Sequence, residues 1–229
     1  MSLLGIGLVL LLLVVLGIPI AISLGAVAVL AMITGPGGIG SLPHVGLVMY
    51  SGSTSFPLIA IPLFILAGAI MNASGISTRL INFASALVGF IRGGLAMVTI
   101  SASLFFAEIS GSAVADVAAL GSILIPAMKR KGYSKSFAAA VTSSSATLAV
   151  IIPPSIPMIL YGVMSGSSIV ELFVAGIIPG VLGGLMMMLV AYMLARKHNF
   201  PKEQMFKLQR VWETAREAAW ALTLPVIIL

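Results

Sequence analysis

Residues 3–33 contain no charged side chain, and that run exceeds the about 20 apolar residues that carry an α-helix across a bilayer core. In water such a segment would need a large core to bury it. The rest of the chain cannot supply one under a wetted surface. Of its 229 residues, 60% are hydrophobic and 8% are charged, against about 25% charged in a soluble domain. The chain therefore reads as an integral membrane protein, and as an all-α one, because a helix satisfies its own backbone in lipid. The first residues lack the basic n-region of a signal peptide, and their apolar run continues to about residue 33, so they read as a retained helix. There is no cysteine, which excludes thiol redox chemistry and thiolate metal sites.

The net charge of +6 would suggest nucleic acid in a soluble protein. Here the cations fall between hydrophobic segments and speak for orientation in the membrane. Arg92, the four at 129–135 and the six at 196–216 make eleven of the twelve. All face the cytoplasm if the chain between Arg92 and Lys129 enters and leaves on one side. Counting back through three spans then puts the N-terminus in the periplasm of a bacterial inner-membrane protein. Arg79 is the exception.

Hydropathy divides the chain into N-terminal spanning helices (1–91), a re-entrant hairpin (92–131), a discontinuous helix (132–166), a spanning helix (167–198), an amphipathic helix at the cytoplasmic surface (199–217) and the start of a further span (218–229). Within the first part, 3–33 is expected as one span with kink points at Gly17 and Pro19, 45–72 as a second and 76–91 as a shorter third. "TGPGGIGSLP" (34–43) is a turn; no Lys-Ser/Thr follows it as in a phosphate loop. Met205, Leu208, Trp212, Ala215 and Ala219 recur at helical spacing, with Glu203 and Lys207 as an i,i+4 pair. Basic residues with Trp and Phe nearby describe a helix lying on a membrane surface.

"FAEISGSAVADVA" (105–117) places Glu108 and Asp116 inside a long apolar stretch, around a Ser-Gly-Ser break. As one helix, the roughly 35 residues from Gly94 to Met128 would be about 52 Å long, too long for a core of about 30 Å. Two arms of about 16 residues would each be about 24 Å and slightly short. Positive flanks on both sides then describe a re-entrant hairpin with its tip near 109–113, buried in protein or lining a water-filled cavity. Ser110 or Ser112 can cap the second arm, and Asp116 suits its first turn. Glu108 sits at the unfavourable end of the first arm. No cation lies between Arg92 and Lys129 to pair with it, so it needs a proton, a hydrogen bond, an ion or a partner from elsewhere.

"SSSATLAVIIPPSIPMILYG" (143–162) is the second anomaly. Pro153, Pro154 and Pro157 cannot donate, so the carbonyls of Ala149, Val150 and Pro153 lose helical partners and the helix breaks near 152–157. Free carbonyls suit a hard cation such as Na⁺, the restarted helix suits an anion, and such breaks mark the sites of secondary transporters. Ser143, Ser144, Ser145 and Thr147 add hydroxyls before the break, or serve close helix packing.

A cation-coupled carrier is the first functional reading. An intramembrane hydrolase is the second: it lacks a base near any serine, and Glu108 and Asp116 fit an aspartyl dyad poorly across a break. A non-transporting assembly subunit is the third, and it would not need the costly tip.

"FPLIAIPLFILAGAIMNASGIS", "FFAEISGSAVADVAALGSILIPAMKRKGY" and "AVTSSSATLAVIIPPSIPMILYG" resemble the most distinctive segments of the large membrane subunit of tripartite ATP-independent periplasmic (TRAP) transporters. The resemblance covers most of the chain. It implies a non-enzymatic permease with no cofactor and with Na⁺ as coupling ion. It implies an elevator, in which hairpin and broken helix form a transport domain moving against a scaffold. It also implies a periplasmic substrate-binding protein, a small four-helix membrane subunit, and organic acids (C4-dicarboxylates, keto acids or sialic acid) as substrates. By that likeness Ser110, Gly111, Ser112 and Ala113 bind Na⁺ and border the substrate, together with Ser144, Ser145, Thr147, Val150, Pro153 and Pro154 across the break. The family's subunit is about twice this long, with an inverted second half. "LTLPVIIL" ends within an apolar run, so the chain reads as an N-terminal half whose C-terminal half would complete the site, and which alone would not transport.

Overall fold

The computed structural model describes residues 3–203 and 205–223, and its regular structure there is helical throughout. Two units are separable, residues 1–55 and 56–229.

The first unit contains α1 (Leu3–Val15), α2 (Ile20–Ile33) and α3 (Leu42–Ser53). The span expected over 3–33 is two helices. Pro19 cannot donate to the α1 ladder, and Gly17 takes a left-handed φ of +77°. The Ile18 N–H reaches back to the Leu13 carbonyl at 3.1 Å, and Gly17 to Val14 at 3.0 Å, which closes α1 with a Schellman motif. The span expected over 45–72 is also interrupted, at Thr54–Ser55.

The second unit carries α4 (Ala60–Ala73), α5 (Ile76–Val88), α6 (Gly94–Ser110), α7 (Ala113–Arg130), α8 (Lys135–Ala146), α9 (Ile156–Ser165), α10 (Ile169–Lys197) and α11 (Leu208–Leu222). Helix α6 is buried on nearly every side, with Glu108 its one ionisable side chain, and lies at the centre, packed by α4, α5, α7, α8 and α10. One side of it shares a core with α5, α7 and α11 through Leu80, Ala84, Phe106, Leu120 and Ala218. The other shares a core with α7, α8, the chain after α8 and α10 through Met97, Met128, Ala138, Leu148, Ile152 and Ala191. Among the described residues α10 is the continuous helix long and apolar enough to cross a membrane. Its Gly176 and Gly180 let it close directly onto Ile151 and Ile152, where a Cβ would collide with the Ile151 carbonyl and the Ile152 side chain.

The amphipathic segment departs from expectation. Residues 201–203 and 205–207 are not helical, and α11 begins at Leu208. Glu203 therefore does not pair with Lys207 along a helix. Instead it meets Lys131 at 3.6 Å, and its N–H donates to the Gly89 carbonyl at 2.9 Å. The stripe through Leu208 and Trp212 stays exposed, while Thr214, Ala218 and Ala221 are the buried face, set against α5. Small side chains allow the closer approach. Helix α11 runs through the expected boundary at 217–218, and residues 224–229 of the expected last span lie outside the described residues.

The basic segments converge. The Pro201 carbonyl accepts from Gly93 and Gly94 (3.2 and 3.4 Å), Phe200 stacks on Tyr133 with centroids 4.2 Å apart, and Arg92 donates to Asn199 at 3.5 Å. The starts of α6 and α8, the end of α7 and the end of α10 thus form one cationic end of the second unit.

Candidate functional site

Two interrupted elements meet at the candidate site. Helix α6 ends at Ser110. Gly111 turns the chain with φ +56°, Ser112 is extended, and Ala113 opens α7. A left-handed residue here favours glycine, and so does crowding, because a Cβ on Gly111 would stand 2.8 Å from the Pro154 carbonyl oxygen. The Ser112 hydroxyl accepts the Ala115 N–H at 3.5 Å as N-cap. The Ser110 hydroxyl accepts the Ser112 N–H at 3.2 Å and donates to Asp116 Oδ1 at 2.5 Å. Asp116 is fully buried in the first turn of α7. Its Oδ2 has no hydrogen-bond partner among the described residues. It lines a cavity of about 710 Å³ with Ser77, Thr78, Ser110, Ser112 and Ser122, walled by apolar side chains of α4, α6 and α7.

The second element is the chain between α8 and α9. Helix α8 tightens into a 3-10 turn at Thr147–Val150 and then leaves helical geometry over Ile151–Ser155. The Leu148 carbonyl takes the N–H groups of Ile151 (3.0 Å) and Ile152 (2.8 Å). Ser155 repairs the break from both sides: its hydroxyl donates to the Val150 carbonyl at 2.7 Å and accepts the Met158 N–H at 3.4 Å as N-cap of α9. Val150, expected to present a free carbonyl, thus shares it with Ser155. The carbonyls of Ala149, Pro153 and Pro154 receive no donor from the described residues.

One backbone bond joins the two breaks: the Ile156 N–H, at the start of α9, donates to the Gly111 carbonyl at 3.2 Å. Ser110, Gly111, Ser112 and Ala113 therefore share a locality with buried Pro153 and Pro154. The hydroxyls before the break are used otherwise. Ser145 is buried; it accepts from Ser103 of α6 at 2.8 Å and donates to the Thr142 carbonyl at 3.2 Å, stitching α8 to α6. Thr147 is exposed and donates to the Ser144 carbonyl at 2.7 Å. Ser144 is exposed and lines a separate groove beside α10. Glu108 is half-buried on α6 and makes no hydrogen bond or ion pair among the described residues.

Ser155 and Ser103 carry structure that sequence reasoning missed. Ser155 had a signal: a serine two residues before Pro157, where Ser at N-cap and Pro early in the first turn are both favoured. Ser103 had none, since a serine on a buried helix finds its partner only through packing.

The family described as tripartite ATP-independent periplasmic transporter, DctM component, matches residues 7–229. An isethionate TRAP transporter permease protein of Oleidesulfovibrio alaskensis is 44% identical over 218 residues, covering 94% of this chain and 34% of that protein. A C4-dicarboxylate TRAP transporter large permease protein of Vibrio cholerae is 42% identical over 216 residues, 94% of this chain and 47% of that one. A 2,3-diketo-L-gulonate TRAP transporter large permease protein of Escherichia coli is 45% identical over 181 residues, 79% and 43% respectively. The chain thus spans less than half the length of each, and all three bear the names of permeases, not enzymes.

Proposed function

Because the chain belongs to the DctM-component family of TRAP transporters, we propose that it forms part of a bacterial inner-membrane permease that imports small organic acids with Na⁺. The observation that carries this reading is the junction of tip and break. There the Gly111 carbonyl accepts the first N–H of α9, and the carbonyls of Ala149, Pro153 and Pro154 receive no donor from the described residues beside a Ser-Gly-Ser turn. Uncompensated carbonyl oxygens at mid-membrane suit a hard cation, and the N-terminus of α9 suits a carboxylate or sulfonate.

In this reading α6 and α7 are the arms of a re-entrant hairpin, and Na⁺ is held by Ser110–Ala113 and the 145–154 segment, mainly through backbone oxygen. The hydroxyls of Ser144, Ser145 and Thr147 contribute less, being engaged or turned away. Hairpin and broken helix travel together as a transport domain against a scaffold containing the N-terminal helices. The N-terminus lies in the periplasm and the cationic end in the cytoplasm. A C-terminal half, a small membrane subunit and a periplasmic binding protein complete the carrier. The relatives are named for isethionate, C4-dicarboxylates and diketogulonate, which supports an acid substrate class and leaves the choice among its members to the binding protein.

The test is uptake by the full-length complex in proteoliposomes, with candidate acids and an imposed Na⁺ gradient. Uptake that follows the gradient supports the reading. Equal uptake without Na⁺, or Na⁺ dependence unchanged in both Ser112→Ala and Gly111→Ala, overturns the coupling and the site respectively.

A further inference from the structure

Beside the candidate site, on the opposite flank of α6, lies a groove of about 420 Å³. Its floor is Ile100 of α6. Its walls are Phe137 and Val141 of α8 and Met187, Val190 and Leu194 of α10. It plays no part in the junction of tip and break. Residues 137–144 cover about 10 Å of helix and residues 186–194 about 12 Å. The groove therefore runs for about a third of a hydrocarbon core of about 30 Å.

The groove has a polarity of its own. Its walls converge on the cationic end, where α8 begins and α10 finishes. Lys197 lies three residues beyond Leu194 and seven beyond Val190, on the groove's face of α10. Lys135 and Arg196 stand exposed at the same end. None of these three cations has an ion pair among the described residues; the nearby acid, Glu203, is engaged with Lys131. An apolar trough ending in unpaired cations complements one kind of molecule: an acyl chain joined to an anionic headgroup. A small organic acid would have no use for the trough.

We infer that this groove binds an anionic phospholipid of the cytoplasmic leaflet. One acyl chain lies between α8 and α10, and the phosphate is held by Lys197 with Lys135 and Arg196. The inference rests on the membrane orientation proposed above. Because the groove is walled by both α8, which leads into the break, and α10, the lipid bridges the two helices and sets how closely they approach. Flexible Met186 and Met187 adapt the wall to the chain.

The test uses the full-length protein in nanodiscs containing a diazirine-acyl phosphatidylglycerol or the matching phosphatidylcholine, with labelled peptides mapped by mass spectrometry. The expected result is phosphatidylglycerol labelling concentrated on the lining residues Phe137, Val141, Met187, Val190 and Leu194. Lys197→Gln lowers it roughly fivefold, the factor expected for one basic side chain near an anionic surface. Val190→Trp, a change at a half-exposed lining position, abolishes groove labelling without altering that of Leu185 and Leu189, which also face outward. Equal labelling by both lipids, or insensitivity to both substitutions, overturns the proposal. Labelling of Leu185 and Leu189 without the groove overturns it while leaving the membrane reading intact. No labelling anywhere on 169–197 overturns both.

Discussion

At the scale of single residues, three positions decide the candidate site: Gly111, Ser110 and Ser155. Gly111 combines a left-handed backbone with close approach to Pro154, so Gly111→Ala meets two penalties. The conformational one is about 1 kcal/mol; the steric one pushes the tip from the break. Na⁺-driven uptake is expected to fall far more than the thermal unfolding midpoint in detergent. A midpoint loss with normal uptake would mean the tip tolerates displacement. Ser110 is the partner of a buried carboxylate. Ser110→Ala leaves Asp116 without one and is expected to cost about 1–3 kcal/mol. Adding Asp116→Asn, which removes the charge, recovers part of that loss, and denaturant unfolding of the two variants checks it. Ser155→Ala removes a helix cap and the donor to Val150 together, for about 1 kcal/mol or somewhat more. The Ser-Gly-Ser tip and the cap of α7 are legible in the sequence because they are local. The Ser110–Asp116 bond spans six residues across a turn. It becomes visible only when the turn geometry is known.

Among elements, the deciding contacts are between backbones. Helix α10 reaches the break through Gly176 and Gly180. Gly176→Leu is expected to force α10 away from Ile151 and lower the unfolding midpoint more than Gly183→Leu, where a Cβ meets a side-chain atom at ordinary contact distance, 3.4 Å. Circular-dichroism melts of both variants compare them. The connection between α10 and α11 lies across the cationic end, tied by Pro201, Phe200 and Glu203. The Lys131–Glu203 pair within it is partly exposed, so a double-mutant cycle is expected to return less than about 1 kcal/mol. Hydropathy shows that an amphipathic helix exists here, but places its start too early and does not show which face packs against α5. Two stripes compete on α11. The larger, through Leu208 and Trp212, dominates the periodicity, whereas the smaller, through Ala218 and Ala221, fits against α5. Helix packing selects for close approach, and hydropathy records only size and polarity.

For the molecule as a whole, the chain spans under half of each relative described, and the proposed carrier includes the remainder. Residues 1–229, reconstituted with binding protein and small subunit, are expected to give no Na⁺-driven uptake, while the full-length subunit restores it. The sequence by itself determined the class: long apolar runs in a charge-poor chain point to a helical membrane protein, with interruptions where Ser-Gly-Ser and three prolines make a continuous helix untenable. It also determined the family, because those interruptions are its most specific segments. Only the tertiary structure decided which interruptions meet. The Gly111–Ile156 bond pairs residues 45 apart, and no local propensity encodes that. It likewise decided that Ser145 serves packing, that Ser155 mends the break, and that Asp116 faces a cavity while Glu108 stands apart. The reason is physical: breaking a helix is a local failure of hydrogen bonding, written in a few neighbouring residues. What the freed groups bond to instead depends on which surfaces the whole chain brings within hydrogen-bonding distance of them.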